Sequence, residues 1–200
     1  MNRYEGKRIL ITGGSSGIGL AGARRIVAEG GNVAITGLND QRLDQARATL
    51  PDSSLILKSD TASEADIDKL RKAVEDWGTL DGLWLNAGIA EVDALESITA
   101  ESFNRLMNTN VRGPMLQLAA LAVRGIRANT SVPGLIETNF RHFMPNDSRP
   151  QFEELVVNQG PLGRAGSAEE AAAVALFLLS DDATYVTGSQ YAVDGGLIHY

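Results

Sequence analysis

The chain has 200 residues, 44 % hydrophobic and 22 % charged, which suits one globular unit with a sizeable core and excludes a disordered composition. Asp and Glu outnumber Lys and Arg by 25 to 18, and the net charge of −7 argues against nucleic acid or an anionic membrane as a partner. There is no Cys and only two His, His142 and His199, so disulfides and thiol nucleophiles are excluded and no metal site is expected.

Short apolar runs alternate with amphipathic stretches. Residues 9–12 read as a buried strand, 17–29 as a helix ended by Gly30 and Gly31, and 33–36 as a second strand. Asp40 is the expected cap of a helix over 41–50 that stops before Pro51, and 55–57 form a third strand. Ser63 caps the next helix, whose first turns carry Glu64, Asp66 and Asp68, where the helix dipole favours anions. Residues 83–85 form a fourth strand. A long helix over 100–121 follows, with Phe103, Met107, Val111, Met115 and Leu118 on one apolar face. A fifth strand is expected over 126–131 and a last over 190–193. Between them lie a loop containing Pro133 and Pro150 and an Ala-rich helix over 168–179, read as core or interface packing. Trp77 and Trp84 are expected as core anchors. Strands without polar alternation, separated by helices, predict a parallel sheet covered on both faces. The expected fold is α/β, a Rossmann-type doubly wound sheet in three layers, with residues 1–200 as one domain. The N-terminus has no secretory apolar region and no run is long enough to span a bilayer, so a cytoplasmic location is expected.

The strongest motif is Thr12-Gly13-Gly14-Ser15-Ser16-Gly17-Ile18-Gly19, between the first strand and the first helix. A strand turning sharply into a helix aims free backbone N–H groups and a positive dipole end at one spot, and glycines let a pyrophosphate approach that backbone.

The TGxxxGxG spacing resembles that of the short-chain dehydrogenase/reductase family, and further matches follow in order. Asn86-Ala87-Gly88 is similar to the family's NAG motif, and Asp60-Thr61 stands where the family sets an Asp against the adenine. Asn108-Thr109-Asn110-Val111 resembles its NxNV segment, whose second Asn belongs to the catalytic group. Residues 125–129 (Gly-Ile-Arg-Ala-Asn), then Pro133-Gly134-Leu135-Ile136-Glu137-Thr138, resemble its GIRxN and PGxIxT signatures, and Asp194-Gly195-Gly196 resembles a family ending. The resemblance implies hydride transfer between a nicotinamide cofactor and a small alcohol or ketone, in a homodimer or homotetramer. Its implied cofactor contacts are Gly13, Ser15, Ser16, Gly17, Ile18, Gly19, Leu38, Asp60, Thr61, Asn86, Ala87, Gly88, Pro133, Gly134, Ile136 and Thr138, with Asn110 catalytic. NAD or NADP stays open, because Gly37-Leu38-Asn39 at the ribose position is neither acidic nor basic, and Arg42 reads as a solvated helix face. Substrate choice is expected from the 139–158 loop, with His142 in a mixed apolar stretch suited to a lid but without an assigned role.

One part of the pattern is missing. In the family a Tyr exchanges a proton with the substrate oxygen, a Lys four residues on lowers its pKa, and a Ser polarises the carbonyl. This chain has no YxxxK, and its last Lys is Lys72. The strand, loop and helix that would carry the three groups fall between Leu121 and Gly125, where a few dozen residues are absent. An oxidoreductase with its acid–base group in that segment is expected; the alternative is a dinucleotide-binding sensor or partner subunit without catalysis.

Overall fold

The structure is a computed structural model that describes residues 2–92, 94–121, 126–139 and 143–199. Four parallel strands, β1 (Arg8–Thr12), β2 (Asn32–Gly37), β3 (Leu55–Lys58) and β4 (Gly82–Leu85), form a sheet in the order β3-β2-β1-β4. The register pairs Ile9 with Val33, Leu10 with Leu83 and Ala34 with Leu55. Successive side chains of a strand point to opposite faces, so Ile9 and Ile11 enter one core and Leu10 the other.

The first core gathers Tyr4, Ile9, Ile11, Ala23, Ile26, Val33, Ile35 and Leu176, with Trp84 packed against it. It lies under α1 (Gly17–Ala28), α2 (Asp40–Arg47) and α7 (Ala168–Leu179). α1 rests on Trp84 so closely that a Cβ at Gly22 would stand 2.4 Å from the indole. The second core sets Leu10, Ala34, Leu70 and Val74 against Trp77, Leu83 and Leu121, under α3 (Glu64–Trp77) and α5 (Gly113–Leu121). Helices on both faces of a parallel sheet give the expected three layers. Trp77 and Trp84 are the core anchors the sequence implied.

The sheet does not run through. β5 (Thr130–Pro133) and β6 (Gln190–Val193) form a separate parallel pair. β4 has the apolar composition of an interior strand, yet none of its four residues is buried. Between β4 and β5 lies a cavity of about 850 Å³, walled by α7 on one side and α5 on the other. The elements flanking the missing segment have not closed over it.

Several boundaries differ from expectation. Asn39, not Asp40, caps α2, its Oδ1 accepting from Arg42 N at 2.9 Å, while Asp40 pairs with Lys58 at 2.7 Å. The fifth strand starts four residues later than expected. Arg127 instead donates to the carbonyls of Ser180 and Val186, and Asn129 brackets Val186 O and Ser189 N, tying the entry of β5 to the turns after α7. Residues 149–159, expected in a loop, include α6 (Arg149–Gln159), with Pro150 accommodated in its first turn, where no N–H is required. The long helix exists as α4 (Ala100–Met107), a π turn (Asn108–Arg112) and α5. Its apolar stripe is exposed rather than packed: Phe103 is 55 % and Met115 66 % accessible.

The buried Tyr4 hydroxyl donates to Leu176 O and fastens the N-terminus to α7; burial pushes its pKa up to about 12. Tyr4→Phe removes that bond but leaves Leu176 O its bond from Ser180 N, and urea unfolding should register a loss of about 1 kcal/mol.

Candidate functional site

The C-terminal ends of β1, β2, β3 and β4 open into one cavity of about 540 Å³. Thr12 closes β1 and is itself buried. Its hydroxyl accepts from the N–H groups of Asn86 and Ala87, both at 3.1 Å, while the Asn86 amide donates to Thr12 O and Gly13 O. The glycine loop and the chain after β4 are thereby clamped together. Gly13 has φ +66°, and a Cβ there would stand 2.8 Å from Ala87 Cα, so both backbone angle and space require glycine. The loop delivers α1 with Ser16 as N-cap, making no side-chain cap bond, and with no acidic residue in the first turn. An N-terminus free of its own carboxylate is suited to a phosphate.

At the end of β3 the Asp60 carboxylate accepts from Ala62 N at 2.8 Å, and its own N–H donates to Asp66 Oδ2. That bond, with Lys69 beside it, holds the Asp66 carboxyl below its ordinary range. Asn110 sits within the π turn. Its Nδ2 donates to Ile89 O at 2.8 Å and its Oδ1 accepts from Ile89 N at 2.9 Å, joining the helix to the chain after β4.

Of the expected cofactor contacts, Gly13, Ser15, Ser16, Gly17, Ile18, Leu38, Asp60, Thr61, Asn86, Ala87, Gly88, Pro133 and Thr138 line this cavity. Gly19, Gly134 and Ile136 do not. Gly19 lies behind the loop, where a Cβ would stand 2.7 Å from the Asn86 amide; Gly134 packs on Asp194; Ile136 is buried and bridged to Gly166. Asn110 lines the cleft between the two sheets instead. The lining adds Asn39, Arg42, Ser59, Thr109, Asn139 and Phe143, which the sequence reading did not assign. Arg42, read from the sequence as a solvated helix face, carried one signal of its place, as the first basic residue after β2. His142 lies outside the described residues. Asp194 is a turn residue whose carboxylate accepts from Gly196 N and Ile198 N.

The segment bearing Ile136 and Thr138 is held from below. Gly166 bonds to Leu135 O and Glu137 N, and Arg164 grips Glu170 at 2.8 and 2.7 Å. Glu170 also completes a capping box with Ser167 at the start of α7.

Residues 7–123 match the family model described as short chain dehydrogenase, and residues 117–198 match that described as Enoyl-(Acyl carrier protein) reductase. The chain belongs to the short-chain dehydrogenase family. It is 31 % identical over 246 residues to an oxidoreductase of Sarocladium schorii, covering 98 % of each chain. It is 30 % identical over 253 residues to a glucose 1-dehydrogenase of Gluconobacter oxydans, covering all of this chain and 94 % of the other. The crystal structure of a levodione reductase superposes with a TM-score of 0.89 at 29 % identity, covering 99 % of this chain and all of that one. Alignments of this length cannot be filled by 200 residues, so these relatives carry internal sequence that this chain lacks. The two family models meet within 117–123, beside the cleft.

Arg164 and the Ser167 N–H hold the Glu170 carboxyl down to about 2 from an ordinary 4.5. A depressed carboxyl stabilises the fold above its unfolded pKa, and the contribution is lost as pH falls through the folded one. Glu170→Gln is therefore expected to lower the Tm at pH 7. The difference from the parent should shrink steadily from about pH 4.5 towards pH 2 in thermal melts.

Proposed function

We propose that this protein is an NAD(P)-dependent oxidoreductase acting between a small alcohol and the matching ketone, with residues 1–200 as one nucleotide-binding unit. The observation that carries the reading is the cavity at the strand ends, in a chain whose relatives are named as dehydrogenases and reductases. The glycine loop from Gly13 to Ile18 and the α1 N-terminus would hold the pyrophosphate, and Asp60 and Thr61 the adenine. Gly88, Pro133 and Thr138 would border the nicotinamide. When bound, the nicotinamide supplies or accepts the hydride. Asn110 positions the chain after β4 through Ile89, and its place at the junction of the two cavities supports the catalytic role implied by the family resemblance.

Arg42 is the one cation and Asp60 the one carboxylate among the described lining residues. A cation beside Leu38 and Asn39, with Asp40 engaged by Lys58, favours the 2′-phosphate of NADP over the bare ribose of NAD. Arg42→Ala should weaken NADPH binding about tenfold, measured by calorimetry, and leave NADH within twofold.

The proton on the substrate oxygen needs a group that these residues do not offer. Tyr4 is buried on Leu176 O, and no Lys follows Lys72. That absence favours a second reading, a dinucleotide-binding subunit without turnover of its own. A native mass well above 21.3 kDa together with carbonyl-dependent NADPH oxidation would establish the first reading. A mass of 21.3 kDa with binding and no oxidation would establish the second. The exposed stripe from Phe103 to Leu118 supports assembly into a homodimer or homotetramer, and the acidic, cysteine-free composition a cytoplasmic setting. Among the described residues no helix is long and apolar enough to cross a membrane.

Dinucleotide binding itself is tested by Ser16→Asp. Asp is as good an N-cap as Ser, but it sets a negative charge where the phosphates must lie. The unliganded Tm should be unchanged or higher, while the rise in Tm given by NADPH or NADH disappears. An undiminished rise would overturn the assignment of this loop.

A further inference from the structure

We infer that the cleft between β4 and β5 is a strand-acceptor site, which takes an extended apolar segment from a separate polypeptide as an additional strand parallel to β4. The inference rests on the second of the two readings above, a subunit of 21.3 kDa without turnover of its own; a larger native chain would fill the cleft in cis and overturn it.

Both edges of the cleft are unpaired, and that of β4 is also unblunted. β4 pairs with β1 alone and presents Gly82-Leu83-Trp84-Leu85 on its other side; β5 pairs with β6 alone and ends on Pro133. Exposed edges are ordinarily blunted by charge, proline, a bulge or a covering element, and β4 itself carries neither charge nor proline. The space between them is bounded above and below. Ala171, Ala175 and Leu178 of α7 line one side, and Leu118 and Leu121 of α5 the other. A strand inserted there is covered on both faces, so it must be apolar on both, like β1 and β2. From strand spacing, layer thickness and rise per residue, 850 Å³ corresponds to about five residues of strand. β4 and β5 have four residues each.

The occupant is fixed by two further observations. The relatives exceed this chain internally, and the family models meet at 117–123, where α5 leads towards the cleft. The frame on either side nevertheless superposes on a complete relative with a TM-score of 0.89. A slot left open in an otherwise retained frame fits the segment that the relatives carry in the chain. A second folded copy does not fit, because its own β4 edge is recessed between α5 and α7. Asn86, Ala87, Ile18 and Pro133 line both this cleft and the nucleotide cavity, and Asn110 faces the cleft. A strand running parallel to β4 would end there. Groups at its C-terminal end would enter the nucleotide cavity, so strand addition would complete the site in trans.

The probe is a fluorescein-labelled apolar peptide from the internal levodione reductase sequence that has no counterpart in this chain, added to the full chain without dinucleotide. Saturable polarisation is expected, together with at least tenfold slower hydrogen exchange at the cleft-facing amides of residues 83–85 and 130–132. Leu118→Arg, at a half-exposed position in the cleft wall, should weaken the peptide at least tenfold while leaving the NADPH-induced rise in Tm intact. No binding, equal binding of a scrambled peptide, or equal binding to Leu118→Arg would overturn the proposal. Cleft-facing amides of residues 83–85 already protected before peptide is added, in a chain that sediments as a dimer, would also overturn it by showing a second copy in place. If the peptide binds and no carbonyl-dependent NADPH oxidation follows, the acceptor site stands and the oxidoreductase reading falls. If NADPH oxidation proceeds in the bare chain and no peptide binds, the reverse holds.

Discussion

Helix α7 packs against β4, β5 and β6 and so carries both sheets on one support. Its small residues make this possible. Ala171, Ala172 and Ala175 are buried, which lets the helix lie close to α1 and to the strands, and Leu176 and Leu178 fill what space remains. The position of β5 beyond the cleft then depends on Arg127 and Asn129, whose side chains satisfy carbonyls at the end of α7 and in the turns that follow. Those bonds add to the packing of α7 on β5 and β6 in holding a two-stranded ribbon at a distance from its sheet. Such a ribbon has little stability by itself.

The same arrangement explains why the proposed nucleotide cavity is intact in a chain that lacks internal sequence its relatives carry. Its walls come from the ends of β1 to β4 and the loops they feed, and Thr12 and Asn86 bind those loops to one another directly. Phosphate recognition relies on backbone N–H groups and a helix dipole, both of which are local to one strand–loop–helix unit. In the proposed reaction, proton transfer relies on side chains delivered from elsewhere in the fold, and the family resemblance puts this non-local half in the internal sequence that the chain lacks.

Much of this was legible in the chain. The glycine loop stands in its strand–loop–helix setting, α7 begins and ends where its capping Ser167 and apolar run place it, and Asn110 falls on a helix irregularity. Local chemistry decided these features. Misjudged features were decided by tertiary partners. Ile126 made 126–131 look like a strand, but Arg127 and Asn129 are used as ties rather than as ladder residues. The apolar stripe on α4 and α5 has the pattern of a core face and no core in front of it. Arg42 resembles any solvated helix residue until the β2–α2 loop turns it to the cavity. That the cleft stays open could not be read from composition at all, since it depends on α5 and α7 holding their places without a strand between them.

The junction of Tyr4 with Leu176 joins residues 172 positions apart. On the ribosome this has a temporal cost. The face of β1 and β2 that receives α7 is synthesised early, and everything from Asp40 to Ser167 must follow before its cover exists. At about 5–20 residues per second, the nascent chain carries that part of its apolar face uncovered for on the order of 10 seconds. Over that interval the uncovered face is open to aggregation, and a message truncated before Leu176 yields a product that cannot complete its first core.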